Sequence, residues 1–449
     1  MPAILTKNLR LHNAEQFIES LVEPSNTILY AFVAKSSPWE NGLDSSNIIP
    51  NQLDNIELKY NIHDQLIALK RITSSDVEYV IPRYDWVENT VYNYYDHTSN
   101  TLFDVDITSK PGRTTSSQQP FYVMDAITYN VYKCLANSKG SISTVRPTST
   151  SNDVFTTADG YTWKYMYTVP SNKRQNFVNS DFIYVAETNY SPNVDGALDV
   201  VVVTNPGTGY TSTPNVIIRG DGSGATANVT LFNNTVSNVN IISRGNNYRY
   251  ANITISGGNG TGASVRAIIA PKGGHGSNAR IELGGYFIMA TPQLLNTESG
   301  SLPVDFKFRI SGIIKDPKIY GSQTERLTDS IIIGQKKLVL ANVTGTFTYD
   351  EFIRGNNTFA NARIVSAVTP SAGKANIIYY QASGVTANAN NFSNLEIVTG
   401  VSSGAYGDII KIIDQGLQPD TGEILYIDVF RPIQRKSDQT EKFQTVIEF

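Results

Sequence analysis

Gly220-Asp221-Gly222-Ser223-Gly224-Ala225-Thr226-Ala227 decides the reading of this chain, because its pattern returns 38 residues later as Gly258-Asn259-Gly260-Thr261-Gly262-Ala263-Ser264-Val265. The likeness extends upstream, where Gly207, Tyr210 and Ile217 recur as Gly245, Tyr248 and Ile255. Recurrence at one offset marks two copies of a supersecondary unit. Ala225, Ala227, Val229 and Leu231 alternate along one copy, as do Ala263, Val265, Ala267 and Ile269 along the other, which is the period of a strand. Small residues beside the glycine turns permit close approach of two sheets. A phosphate-binding loop does not fit. Such a loop opens a helix or ends in Gly-Lys-Ser/Thr, whereas both clusters lead into β-branched, alternating segments.

Working outward, Gly, Asn, Thr and Val dominate residues 198–278, which read as an inserted all-β module. A second low-charge interval, 343–404, carries a weaker repeat at an offset of 45: Phe347, Glu351, Ile353, Gly355 and Ala360 return as Phe392, Glu396, Val398, Gly400 and Ala405. It reads as a second β insertion. Residues 1–197, 279–342 and 405–449 have mixed composition and form three parts of one core. In the first part, Asn13 is expected to cap a helix with Phe17, Ile18 and Leu21 inward. A β-rich run from Asn26 to Val33 is stopped by Ser36-Ser37-Pro38-Trp39. A second helix is expected from near Asp54, with Ile56, Tyr60, His63 and Ile67 on one face. The run 304–310 alternates like a half-buried strand, and 422–430 and 442–449 are two more strands. The fold class is mainly β (α+β), with two inserted small all-β modules.

The 449 residues are 40% apolar, with 25 Tyr and 18 Phe, enough to bury a sizeable core and a composition that favours sheet over helix bundle. A net charge of −4 gives no basic footprint, so nucleic acid is not an expected partner. Arg431, Arg435 and Lys436 read as a solvated rim. Cys134 is the only cysteine, which rules out an intrachain disulfide and indicates a reducing compartment. No apolar run approaches the length of a membrane helix, and Met1 to Lys7 lacks the apolar stretch of a signal peptide, so a soluble protein not exported by that route is expected.

Catalytic and metal motifs are weak throughout. The four histidines include no His-x-x-x-His pair. The run 257–265 resembles the start of a calcium-binding β-roll nonapeptide, yet Gly262 stands where that repeat needs an acid. Arg219-Gly220-Asp221 is too short an adhesion match to carry weight. His275, between glycines, reads as a polar side chain in a mobile turn. No Gly-x-Ser-x-Gly elbow is present, and Asp104, Asp106 and Asp125 supply acids without an arguable pair. No catalytic, cofactor-binding or metal residue is assigned. The densest aromatic cluster, Tyr84, Trp86, Tyr92, Tyr94 and Tyr95, is the candidate interface, with a core role for about half of them as the other reading.

Several segments carry a resemblance. Asn26-Thr27-Ile28-Leu29-Tyr30 with Pro38-Trp39, Ile81-Pro82-Arg83-Tyr84-Asp85-Trp86, Val131-Tyr132-Lys133-Cys134-Leu135, residues 159–170, Gly422-Glu423-Ile424-Leu425-Tyr426 with Arg431-Pro432-Ile433, and Asp438-Gln439-Thr440-Glu441 resemble, in order, the baseplate wedge subunit called gene product eight of T-even-like contractile-tailed bacteriophages. The similarity covers roughly 1–197, 279–342 and 405–449. The resemblance implies a layered β-sandwich core with helices in long loops. It also implies a homodimer without enzymatic activity that joins neighbouring wedge subunits in the virion tail baseplate and is assembled in the host cytoplasm. The two modules have no counterpart in the T-even form. The first is similar to insertions in structural proteins of marine cyanobacterial phages, and tail-fibre proteins are the partners expected for such inserts. The competing expectation is a tail-associated carbohydrate-binding or glycan-cleaving protein, which needs a carboxylate pair in a groove lined by exposed aromatics.

Overall fold

The computed structural model describes residues 5–22, 27–39, 56–99, 102–103, 120–187, 194–298, 302–381 and 390–449. Strand makes up 47% of the structure against 12% helix, so the chain is mainly β, with several sheets in a β-sandwich-rich arrangement. It divides into two compact units, one of residues 1–15, 78–289 and 446–449, the other of 16–77 and 290–445.

Helix α1 (Lys7–Val22) starts earlier than expected. Asn13 lies inside it, and Thr6 Oγ1 instead accepts from the Leu9 amide at 3.4 Å. Leu11 and Ala14 are its fully buried residues, with Phe17, Ile18 and Leu21 half-buried. Strand β1 (Leu29–Ala34) is buried along its whole length. Helix α2 (Ile56–Asp64) corrects the expected face: Ile56 and Tyr60 are exposed, and Ile62 and Leu58 pack inward. The helix ends before Ile67, which belongs to β2 (Leu66–Ile72), so the three-and-four spacing ran across two elements. Asn26 and Asp54 lie outside the described residues.

The chain continues through β3 (Val77–Pro82), β4 (Tyr122–Met124), β5 (Asn130–Asn137), β6 (Phe155–Thr156), β7 (Tyr161–Thr168), α3 (Ser171–Phe177) and β8 (Phe182–Tyr184). The first module follows as β9 (Leu198–Thr208), β10 (Asn215–Gly220), β11 (Ser223–Phe232), β12 (Thr235–Asn246), β13 (Ala251–Ser256) and β14 (Thr261–Ile269). After α4 (Ala279–Leu283) come β15 (Phe287–Ala290), β16 (Gln293–Leu294), β17 (Phe306–Lys315) and β18 (Ile331–Ile333). The chain closes with β19 (Lys336–Thr344), β20 (Phe352–Gly355), β21 (Asn361–Val368), β22 (Ala375–Tyr380), β23 (Ile397–Gly400), β24 (Tyr406–Ile413), β25 (Glu423–Arg435), β26 (Glu441–Lys442) and β27 (Thr445–Glu448).

The scaffold sheets are woven from distant segments. One unit holds a sheet ordered β27-β15-β3-β8 and another ordered β4-β5-β7-β6. The other unit holds a sheet ordered β18-β2-β1-β17-β25. The first and last of these each take strands from before residue 198, from between the two modules and from after the second. Strand β17 is almost wholly buried rather than half-buried, because β1 and β25 flank it and both its faces are covered. Buried Arg435 is not a rim residue. Its guanidinium donates to the carbonyls of Leu294 (3.1 Å), Leu295 (3.0 Å) and Pro303 (3.3 Å) and pairs with Glu441, which ties the closing run back onto the segment around β16.

The first module is an interlock of its two copies. β9-β10-β11 and β12-β13-β14 are the repeated halves, yet its sheets are ordered β11-β12-β9-β14 and β10-β13, so every strand pairing joins one half to the other. Where β9 and β12 meet, Val201 pairs with Val239, its own repeat mate. Tyr210 and Tyr248 are buried and exchanged in the same sense. A Cβ on Gly260 would lie 2.3 Å from the Tyr210 ring, and one on Gly222 would lie 2.4 Å from the Tyr248 ring, so each tyrosine lies flat on a glycine of the other half. The glycine clusters run into β11 and β14, as the turn reading requires.

The second module closes into a barrel, β19-β22-β21-β20-β23-β24. It begins at Lys336 and ends at Ile413, wider than the 343–404 interval, because Lys336, Lys337, Asp408 and Lys411 give its outer strands a charged composition. The offset of 45 has a physical basis. Glu351 accepts from the amides of Thr348 (2.6 Å) and Ser403 (3.0 Å), and Glu396 from those of Ser393 (2.6 Å) and Thr358 (3.1 Å), so each carboxylate pins a loop of the opposite half. Burial would raise both carboxyls, but these donors hold them below the usual carboxylate range. Gly400 and Gly355 leave the room: a Cβ there would meet the Glu351 and Glu396 carboxylates at 2.8 and 2.6 Å.

Candidate functional site

The β5–β7 register sets Lys133 directly opposite Lys164. Like charges facing each other across a sheet repel, and Lys133 is 0% exposed, so the pair needs a counter-charge from elsewhere. Glu282 on α4 supplies it through a buried ion pair. The same carboxylate accepts from the amides of Gly276 (2.8 Å) and Asn278 (3.3 Å). Burial lowers the Lys133 ammonium against the opposing pull of Glu282, and lowers Lys164 against Asp199. The Lys133 ammonium lies 4.7 Å from the centre of the Tyr95 ring. Burial and the neighbouring Glu282 and Asp96 push the Tyr95 phenol up to about 12. Lys164 donates to the Asn152 carbonyl.

His275 completes the cluster. It is 2% exposed and stands edge-on to Tyr95 at 5.2 Å, with no hydrogen-bond partner on either ring nitrogen among the described residues. The mobile-turn expectation is therefore corrected. The flanking glycine serves close packing, since a Cβ on Gly276 would lie 2.6 Å from Lys164 Cε. Burial, then the charges of Lys133, Lys164, His97 and Arg244, drive the imidazole well below its ordinary value. At the other root of the module Asp199 faces Arg244 Nε at 3.1 Å; burial raises its carboxyl against the pull of Arg244, Lys164 and Lys133. The cluster thus sits where the first module leaves and re-enters the scaffold. Its ion pair is sealed from solvent, with side-chain exposures of 0% and 2%.

A pH dependence follows from His275. Below about pH 6.5 the unfolded chain takes up a proton that the folded imidazole refuses, so stability falls with pH by up to about 1.4 kcal/mol per unit until the depressed folded value is reached. His275→Phe is expected to reduce that slope, by up to one proton, below about pH 6.5 in urea titrations. An unchanged slope would contradict the assignment.

Beside the cluster lies a groove of about 830 Å³, floored by β9 and β12 and walled by residues such as Ser138, Ser141, Thr156 and Thr162. Its described lining includes one carboxylate, Asp199, and no aromatic ring. That is not the acid pair under exposed rings that glycan cleavage requires. Asp125 is a buried turn residue that accepts from Ile127 N at 3.1 Å and Thr128 Oγ1 at 2.6 Å, while Asp104 and Asp106 lie outside the described residues. Asp221, of the Arg-Gly-Asp run, staples a turn by accepting from the amides of Arg249 (2.8 Å) and Tyr250 (3.2 Å). Cys134 is buried, and its thiol is raised well above the usual value by that burial.

None of the five aromatic residues singled out as an interface is exposed. Tyr84 and Tyr92 are core: Tyr84 stands edge-on to Tyr122 at 5.4 Å, and the Tyr92 hydroxyl donates to the Val87 carbonyl at 3.0 Å. Trp86, Tyr94 and Tyr95 are half-buried. Trp86 Nε1 donates to Ser143 Oγ (3.1 Å) and Arg266 donates to the Tyr94 hydroxyl (2.8 Å), while Tyr95 carries Lys133 and His275. Composition alone does not distinguish these internal roles from a contact surface. Lys133 and Lys164 were visible only as lysines within otherwise β-rich runs; Glu282, remote in sequence, had no such signal.

No protein-family model matches this chain, and no curated protein resembles it at a significant level.

Proposed function

We propose that this protein is a structural subunit of a contractile-tail baseplate wedge, self-associating as a homodimer and joining neighbouring wedge subunits in the virion. The ordered set of motifs quoted above carries the reading, and what supports it is where those motifs fall. Val131-Tyr132-Lys133-Cys134-Leu135 and residues 159–170 supply β5 and β7, with the buried pair Lys133–Glu282 behind them. Gly422-Glu423-Ile424-Leu425-Tyr426 enters β25, and Asp438-Gln439-Thr440-Glu441 ends in the Arg435 clamp. Sheets woven from three remote segments resist local opening, because their central strands β15 and β17 cannot leave without breaking pairings with both of the other segments. That is the mechanical property a load-bearing subunit needs. The modules, each interlocked by its own repeat, then project contact surface for neighbours or fibre proteins without loosening the scaffold.

The test is reconstitution with the other wedge subunits of the same virus. Co-sedimentation in a defined complex and localisation of a tagged chain to the baseplate in tail images are the expected results. A chain that binds no wedge subunit, or that shortens host-envelope polysaccharide, overturns the reading.

A further inference from the structure

We propose that Lys133 and Glu282 are the two halves of an internal amide cross-link, formed after folding by condensation of the lysine amine with the glutamate carboxyl. Lys133 Nζ lies against Glu282 Oε2, and both side chains are sealed from solvent. The other carboxylate oxygen, Oε1, accepts from the amides of Gly276 at 2.8 Å and Asn278 at 3.3 Å. The fold therefore holds a nucleophile beside an acyl carbon, while two backbone donors grip the oxygen on which negative charge gathers when an amine adds to a carboxyl carbon. The two oxygens have separate roles. Oε1 is fixed in place, and Oε2, which faces the amine, is the one that leaves.

The step balances within the pair. Burial draws down the Lys133 ammonium, so a proton passes from nitrogen to carboxylate and leaves a neutral amine beside a carboxylic acid. The amine lone pair bonds to Glu282 Cδ, and the oxyanion formed on Oε1 rests on the Gly276 and Asn278 amides. Collapse then breaks the bond from Cδ to Oε2. Of the three ammonium protons, one stays on the amide nitrogen and two leave with Oε2 as water, so no oxidant, activating group or second molecule is consumed. His275 shares the Tyr95 ring with Lys133 and has no partner on either ring nitrogen among the described residues. Kept neutral by burial, it is the group in the cluster suited to pass a proton from nitrogen to oxygen. The product exchanges two buried charges for a neutral amide and joins β5 to α4 across 149 residues of sequence, which restricts the unfolded chain. The loop so closed contains the whole first module. Newly folded chain holds the ion pair, and the bond accumulates with time.

The cross-link goes beyond the wedge reading and does not rest on it. The experiment is the intact mass of the purified full chain, measured under denaturing conditions after the protein has aged in its folded form. Wild type is expected to become lighter than its sequence by one water, and digestion is expected to yield one branched peptide in which the Lys133 side chain carries Glu282. Chain aged in urea should keep its full mass, because the two groups meet only in the fold. Lys133→Met and Glu282→Ala should each keep the full mass as well. His275→Phe leaves the reacting groups and both amides in place, and it is expected to form the same branched peptide about 100-fold more slowly. An unchanged rate in that variant takes the proton transfer away from His275. Folded wild type that retains its full sequence mass over days, or a water loss that maps to other residues, overturns the cross-link and leaves the wedge reading to its own reconstitution test.

Discussion

Glu282→Ala is expected to destabilise the unit that contains it by about 4 kcal/mol, the cost of leaving a buried charge without its partner. Lys133 would then be sealed in the core without its ion-pair partner, with the Tyr95 ring against its ammonium and Lys164 directly across the sheet. The amides of Gly276 and Asn278 would lose their acceptor in the same step. Lys133→Met should cost less, because the carboxylate left behind keeps both amides, and charge-assisted hydrogen bonds to backbone are the stronger kind. The double variant Lys133→Met with Glu282→Leu should recover the part of the Glu282→Ala loss that comes from the unpaired charge, since an apolar pair of similar volume often replaces a buried ion pair at little cost, while the Gly276 and Asn278 amides stay without their acceptor. Urea midpoints at pH 7 give all three values. A Glu282→Ala protein within about 1 kcal/mol of wild type would mean that water reaches Lys133, and the anchoring role of the cluster would fall. Because the cluster sits at both roots of the first module, the same substitution is expected to expose the segment 271–283 to hydrogen exchange before the rest of the unit.

The parts of this architecture that could be read from sequence share one physical trait: they are local or repeated. Glycines recur at fixed offsets because each has a specific neighbour to admit, Tyr210 and Tyr248 in the first module and the Glu351 and Glu396 carboxylates in the second. Alternation exposed β11 and β14 for the same reason, since one face of each is covered. What escaped was long-range. The partner of Lys133 is 149 residues away, and nothing around Glu282 marks it as a core counter-ion. Arg435 looked like one of three surface cations until Leu294, Leu295 and Pro303 proved to supply three carbonyls for it. The ends of helices were misread where a good capping residue, Asn13, lay inside a helix already started at Thr6. The barrel's outer strands hid behind the lysines in their sequence, although Leu338, Leu340 and Ile409 on those strands belong to the buried core.

Gly260→Ala is expected to cost about 3 kcal/mol, and the way it couples to other substitutions tests the interlock of the first module. The new methyl would sit 2.3 Å from Tyr210 Cγ and 2.5 Å from both Cδ atoms. The ring has nowhere to go, being buried and hydrogen-bonded through its hydroxyl to the Ala263 amide at 3.4 Å. Gly260 and Ala263 belong to the second copy and Tyr210 to the first, so the clash strains both halves at once. In a double-mutant cycle, the cost of Gly260→Ala should largely vanish on a Tyr210→Ala background, because the obstructing ring is gone. On a Tyr248→Ala background it should persist to within about 0.5 kcal/mol, because Tyr248 rests instead on Gly222. Two independently folded copies would give the reverse coupling, with Gly260 sensitive to the tyrosine of its own half. Since every pairing in the module crosses between halves, either variant should also melt both halves in one transition, and a module that lost only residues 235–269 while keeping 198–232 folded would refute the exchanged arrangement.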